Sequence, residues 1–310
     1  MKVLLVGGGG FIGSYIARIL ATENIETAVL DNFSSEFQQR TMKEVTIING
    51  DMSDREILDS AMTGVTHVWH GAYPHNIDSR VDDAATVWKN IRATIELAKI
   101  ARRNKAAKFV YASSRSVYGI AQYNPIDEKH PIQPPTAYGL CKAVCEDYLQ
   151  NILGRSSTEL CILRGFLVYG PGDRQSVVTK FVQTILKGEA PTVHGDGSAT
   201  RDFIHVEDMA RATVLALKRK QTKGIFNIAS EKETSLLQLI NLITTIVGRK
   251  DIVPKFNQTD AWNVNDRCFA DISLAKKILG FTPSIPLEEG LRQVIEDYQS
   301  KTKQSNLSSA

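Results

Sequence analysis

Through the first half of the chain, short unbroken apolar runs alternate with stretches of helical spacing. Residues 2–6, 26–30, 45–49, 65–70, 108–112 and 159–164 read as buried strands, each bounded by polar or turn residues. Between them, residues 11–21, 87–103 and 137–153 place apolar side chains at the i, i+3, i+4 positions of helices that bury one face. Strands alternating with helices predict an α/β fold with a doubly wound parallel sheet covered on both sides.

The second half follows another rhythm. A Gly/Pro-rich segment at 169–173 precedes a helix at 177–187 and a turn-rich stretch at 188–201. Helices at 206–218 and 235–247 flank a small strand at 225–229. This predicts a first domain over 1–168 and a smaller C-terminal α/β substrate lobe over 169–299, some segments of which pack back on the first. The polar, small-residue tail at 300–310 is expected to be disordered.

Composition narrows the function. A hydrophobic share of 43% supports a sizeable core. A net charge of +3 argues against a nucleic-acid binder, and the densest basic run, 99–105, falls at a helix end where cations suit the dipole. No run of about 18 apolar residues exists, so no membrane span is expected. Met1 to Val6 is apolar, but glycines follow at once and no cleavage site does. Cys141, Cys145, Cys161 and Cys268 form no Cys-x-x-Cys pair in a chain too long to need disulfides. Free thiols and a cytoplasmic location are expected.

The first strand runs into Gly7-Gly8-Gly9-Gly10-Phe11-Ile12-Gly13 and then a helix. Gly7, Gly10 and Gly13 allow a tight turn, close backbone approach to a pyrophosphate and close helix packing, with the anion on the amides of the helix N-terminus. A glycine pattern alone is weak. Its place between a strand and a helix at the chain start makes it a Rossmann-type dinucleotide site. Asp31 closes the second strand, where a carboxylate accepts the ribose hydroxyls of NAD and repels the 2′-phosphate of NADP. The bland alternative is a solvated strand end. Asp51, after the third strand, reads equally well as an adenine contact or as a helix N-cap beside Ser53 and Asp54.

Tyr138 and Lys142 stand at i and i+4 of one predicted helix and share a face. An ammonium beside a phenol favours the phenolate, which can take a proton from an alcohol while hydride leaves the same carbon. Tyr-x-x-x-Lys is common by chance, and it gains weight here only from the nucleotide fold. The strand ending Ala112-Ser113-Ser114-Arg115-Ser116 carries hydroxyls where open parallel sheets bind ligands. Ser114 can hold the reacting oxygen, or these serines only satisfy turn amides.

With these motifs, the chain resembles the extended short-chain dehydrogenase/reductases, and among them the nucleotide-sugar epimerases and dehydratases of the UDP-glucose 4-epimerase type. The resemblance spans about residues 1–298. It rests on the glycine loop, Asp31-Asn32, 112–119, Tyr138 with Lys142, Leu163-Arg164, 168–172, 195–197, 201–208 and 270–273. It implies Ser114, Tyr138 and Lys142 as the catalytic set. It implies NAD held by Gly7, Gly10, Phe11, Ile12, Gly13, Asp31, Asn32, Asp51, Met52, Ala72, Asn90, Ala112 and Gly165, with Tyr138 and Lys142 facing it. Substrate contacts are implied at Ser114, Ser116, Leu167, Arg201 and Arg267, with Arg201 on a diphosphate. A homodimer built on the helices near 87–103 and 137–153 is also implied.

The resemblance further separates reactions. Dehydratases carry an Asp-Glu pair directly after the catalytic hydroxyl, and related decarboxylases want a carboxylate at the second place; here stand Arg115 and Ser116. The expected reaction is therefore C4 epimerisation of a UDP-sugar through a transient keto form, with NAD recycled. The competing readings are a net dehydrogenase or dehydratase on another sugar-like alcohol, and a non-catalytic NAD-sensing protein. Two positions depart from the pattern: Leu167 stands where relatives carry Asn, and Ala261 where they carry Arg. Arg267 can replace the lost arginine and Trp262 can stack on a base. His67, His70 and His75 lack partners for a metal set, so no metal is expected and structural or substrate-loop roles are preferred. Tyr73 to Asn76 can line the substrate pocket, and His205 reads as a helix-start residue.

Overall fold

A computed structural model describes residues 1–34, 44–73, 84–257 and 266–308. The main sheet contains β1 (Lys2–Val6), β2 (Glu26–Asp31), β3 (Thr46–Asn49), β4 (His67–His70), β5 (Lys108–Ser114), β6 (Glu159–Gly165) and, from far along the chain, β10 (Gly224–Ile228). Its order is β10-β6-β5-β4-β1-β2-β3, and every pairing is parallel. The order reverses between β1 and β4. Strands on either side of that point lead their connections to opposite faces, which leaves a crevice at their C-terminal ends. The chain therefore has the doubly wound, Rossmann-type architecture that its alternation predicts.

Helices α1 (Phe11–Thr22) and α6 (Val206–Lys218) cover one face, and α2 (Arg55–Ala61), α3 (Ala84–Arg103) and α4 (Ala137–Leu153) the other. The central strands bury both faces, so Leu4, Leu5, Phe109 and Val110 are wholly enclosed. Each unit's ends are set locally. Asp54 caps α2 through the amides of Glu56 and Ile57, and Thr136 caps α4 through Gly139 N at 3.1 Å.

The smaller lobe is built from β7 (Leu167–Tyr169), α5 (Val177–Leu186), β8 (Thr192–His194), β9 (Thr200–His205), β11 (Glu233–Ser235), α7 (Leu236–Val247), β12 (Lys255–Asn257) and α8 (Leu287–Ser308). Its sheets are β11-β9-β7 and β12-β8, and Phe181, Val182, Phe203, Ile240 and Leu291 fill its core. The short strands β7, β8, β11 and β12 are absent from the sequence reading because three residues carry too little periodicity to mark them.

One expectation is corrected. The tail expected to be disordered from residue 300 continues α8 to Ser308. Pairing of Lys301 with Asp297 at 2.7 Å, and hydroxyl bonds from Ser300 to the Glu296 carbonyl and from Thr302 to that of Tyr298, support the helix where the tail begins.

Candidate active site

The crevice at the switch point opens into a cavity of about 700 Å³, within the range of sites that take a cofactor. Gly7 makes its floor. It has φ +82°, and a Cβ there would lie 2.5 Å from the backbone nitrogen of Ala72. The loops leaving β1 and β4 touch backbone to backbone at this point, and only glycine permits it. Gly13 is excluded from larger side chains by Gly7 O, 2.6 Å from its would-be Cβ. No side chain caps α1, and its first turn, Phe11, Ile12 and Gly13, borders the cavity. A helix start left without a capping anion is a site for phosphate oxygens.

Asp31 stands beside that loop. One carboxylate oxygen accepts the amide of Gly9 at 2.8 Å and the other that of Phe33 at 2.7 Å, so the group is fixed in place. Asp51 also lines the cavity. It is not the helix cap, which is Asp54; its oxygens accept from Ser53 N at 2.8 Å and Lys89 Nζ at 2.9 Å. Burial works to raise its pKa, but Lys89 and Ser53 outweigh it and hold the carboxyl below the ordinary range. Asn32, Met52, Ala72, Asn90 and Ala112 border the same space. Gly165 ends β6, where the side chain of Met209 lies nearest, and does not border the cavity.

Tyr138 and Lys142 reach the opposite end of the cavity from the start of α4. Lys142 is buried, and its ammonium donates to the carbonyl of Ala112 at 2.8 Å. The same nitrogen lies 4.9, 5.5 and 5.7 Å from the ring centres of Tyr111, Tyr73 and Tyr138. Three aromatic faces and one carbonyl hold the charge in a dry setting. The ring of Tyr73 meets that of Tyr138 edge-on at 4.8 Å, which fixes the phenol. Ser114 closes β5, and its Oγ donates to Ser116 Oγ and accepts from Ser116 N, both at 3.2 Å. Beneath it, Ser113 bonds Glu146, which Arg164 grips through two nitrogens, so α4, β5 and β6 are locked together under Ser114, Tyr138 and Lys142.

The residues expected to contact a substrate divide. Arg201 is buried on β9 and donates to the carbonyls of Thr200 and Asp266 at 2.6 and 2.9 Å. Arg267 is 65% exposed and forks Glu233 at 2.7 and 2.8 Å. It faces solvent and its guanidinium is already engaged. Leu167 packs against the core of the smaller lobe. Arg115 is no solvated side chain: it pairs with Asp266 at 3.0 Å. Ala261, Trp262, His75 and residues 74–76 lie outside the described residues.

Sequence reading missed Trp69, Thr86, Lys89, Ala93 and Gln175 as cavity-lining residues. Thr86, Lys89 and Ala93 lie at i−4, i−1 and i+3 from Asn90, so the helical face of an expected cofactor contact held the signal for two of them. Gln175 has no such signal, because only the fold brings the second lobe's first loop over the cavity.

Residues 3–229 match the model of the NAD dependent epimerase/dehydratase family. A Methanocaldococcus jannaschii protein carrying the provisional name UDP-glucose 4-epimerase is 33% identical over 302 residues, covering 94% of this chain and 97% of its own. The UDP-glucose 4-epimerase of Thermotoga maritima, solved with UDP-glucose, superposes with a TM-score of 0.89 at 28% identity, over 97% of this chain and all of the other. MoeE5, solved with UDP-glucuronic acid and NAD, superposes at 0.87 with 26% identity, over 97% of this chain and all of the other. The glycine loop, the fixed Asp31 and the Tyr138–Lys142 pair all lie within the matched residues, and the chain belongs to the NAD dependent epimerase/dehydratase family.

Proposed function

We propose that this protein is an NAD-dependent epimerase of a UDP-sugar, inverting C4. The observation that carries the reading is the placement of Tyr138 and Lys142 at one end of a cavity whose other end is built for a dinucleotide. Gly7, Gly10 and the first turn of α1 would hold the pyrophosphate of NAD, with Asp31 on a ribose and Asp51 near the adenine. Asp31 also opposes NADP, since a 2′-phosphate would meet a carboxylate. NAD, when bound, takes up and returns a hydride.

The chain's own residues do the rest. Tyr138 takes the proton of the sugar hydroxyl and later gives it back. Lys142 keeps a positive charge beside that phenol, and Ser114 holds the reacting oxygen. Arg201 serves the substrate's diphosphate, and Ser116 steadies Ser114. No carboxylic acid stands at Arg115 or Ser116 to expel water, which favours epimerisation over dehydration. Residues 1–168 with the returning β10 form the cofactor half, and 169–299 the substrate lobe.

The protein works as a homodimer in this reading. Trp88 on α3 and Leu140 and Tyr148 on α4 are exposed on two helices that pack against each other, and a second copy would cover them. Four buried, unpaired thiols support a cytoplasmic setting. Among the described residues no helix is long and apolar enough to cross a membrane.

The test is incubation of the purified protein and NAD with UDP-glucose, UDP-galactose and their N-acetyl and uronate counterparts. A product of unchanged mass and altered chromatographic retention supports the reading. Loss of water, net loss of two hydrogens, or no product with NAD bound would overturn it.

A further inference from the structure

Asp266 stands between two cations that belong to different parts of the site. Its side chain, 2% exposed, pairs with Arg115 at 3.0 Å, and its other oxygen accepts the amide of Ala121 at 3.3 Å. Its backbone carbonyl accepts Arg201 Nη1 at 2.9 Å and Thr200 N at 3.1 Å. Arg115 follows the catalytic Ser114 directly, in the 3-10 turn Arg115–Val117, and also donates to the carbonyl of Gly119 at 3.1 Å. Burial and the neighbouring Arg115 charge both push the Arg201 guanidinium below its ordinary value, which records how close the two cations lie. One residue thus touches the turn that carries Ser114 and the strand that carries Arg201, although 151 positions separate Arg115 from Asp266.

We infer that the Arg115–Asp266 pair is a positioning clamp, which sets the register between the hydride-transfer end of the substrate site at Ser114 and its phosphate end at Arg201. A substrate held at both ends reacts only if the distance between them is fixed, and small misplacements of bound groups are expensive in rate. The pair is well suited to this, being nearly enclosed, so loss of either partner leaves an uncompensated charge. The inference rests on the reading that a diphosphate sugar spans Ser114 and Arg201.

The test uses the full chain with NAD. Because Arg115→Met strands a buried carboxylate, the informative variant is the neutral double, Arg115→Met with Asp266→Asn, beside Arg115→Lys and the surface control Lys276→Ala. The double should melt closer to the wild type than Arg115→Met alone. Its kcat should nonetheless fall roughly tenfold or more, with KM moving by less than about threefold. Arg115→Lys should recover most of that loss, and Lys276→Ala should change neither constant. A kcat within about twofold of wild type in the double would overturn the clamp. So would an effect on KM alone, or a swing in preference between UDP-glucose and UDP-glucuronate, since Arg115 would then be a direct substrate contact. Hydrogen exchange separates this from the parent reading. In Arg115→Met, amides at 116–121 and at 200–203 should lose protection together, whether or not any UDP-sugar is turned over; loss at only one of the two segments would refute the clamp.

Discussion

The two halves of the cleft are built by different means. The cofactor half is made from short-range features: glycines at the end of β1, an uncapped helix start, a carboxylate at the end of β2 and two side chains a helical turn apart on α4. The half proposed for the substrate is made from distant ones. Arg115, Arg201 and Asp266 come from three segments and are joined through one carboxylate and one carbonyl. The first kind of site tolerates little change at a backbone position and much around it. The second depends on pairs, so its residues have meaning only in company.

The largest effect expected from a single change separates chemistry from binding at the junction of the halves. Tyr138→Phe keeps the ring packing against Tyr73 and removes only the hydroxyl. Turnover should fall by about 10²–10⁴-fold, the usual worth of a positioned acid or base, with NAD affinity little changed. Quenching of Trp69, which lines the cavity, reports that affinity. A variant that keeps a tenth of wild-type activity would mean another group moves the proton.

Gly7→Ala strikes the cofactor half where it is least tolerant. The methyl group would enter the backbone of Ala72 at a residue with φ +82°, at a cost of about 2 kcal/mol or more. NAD affinity should drop more than about tenfold along with melting temperature. Equal NAD affinity in this variant would show that the two loops do not need their close contact.

The cofactor half should also answer more strongly to acid. His70 closes β4 and is wholly enclosed, and burial, then the Lys142 charge, pushes its imidazole down to about 3. The folded state thus refuses a proton that the unfolded chain accepts below about 6.5, so stability is full above that pH and falls as pH drops toward 3. The loss is on the order of a few kcal/mol. Melting curves at pH 7 and pH 4.5 should show a smaller decline for His70→Leu than for the wild type. Parallel declines would place the acid sensitivity elsewhere.

The smallest effect is expected at Arg267, whose guanidinium is engaged with Glu233 in solvent. Steady-state constants of Arg267→Ala should stay within about twofold of wild type, because exposed ion pairs contribute little. A rise in KM would return Arg267 to the substrate site that the family resemblance implies for it.

The legible parts of the molecule were those whose cause lies within a few residues. Strand–helix alternation, the glycine loop and the Tyr138–Lys142 spacing each express a local periodicity or backbone need, and the sheet follows from them. Thr86 and Ala93 were legible in principle, on the same helical face as Asn90. The role of Asp51 was half legible, since its neighbours Ser53 and Asp54 offered a cap and the choice between Asp51 and Asp54 lay in the geometry of the turn. The tail was misread because polarity alone does not distinguish disorder from a helix held by i, i+4 pairs.

By itself, then, the sequence determined that this chain makes a parallel sheet, where a dinucleotide would sit on it, and which phenol and ammonium stand beside that place. Those properties repeat at the spacing of strands, turns and helices, which a linear text records. The tertiary structure alone decided that Arg115 is paired and enclosed, that Arg267 is spent on Glu233, and that Gln175 borders the cavity. Charges act through space with a strength set by distance and burial, and neither quantity is written in the order of the residues.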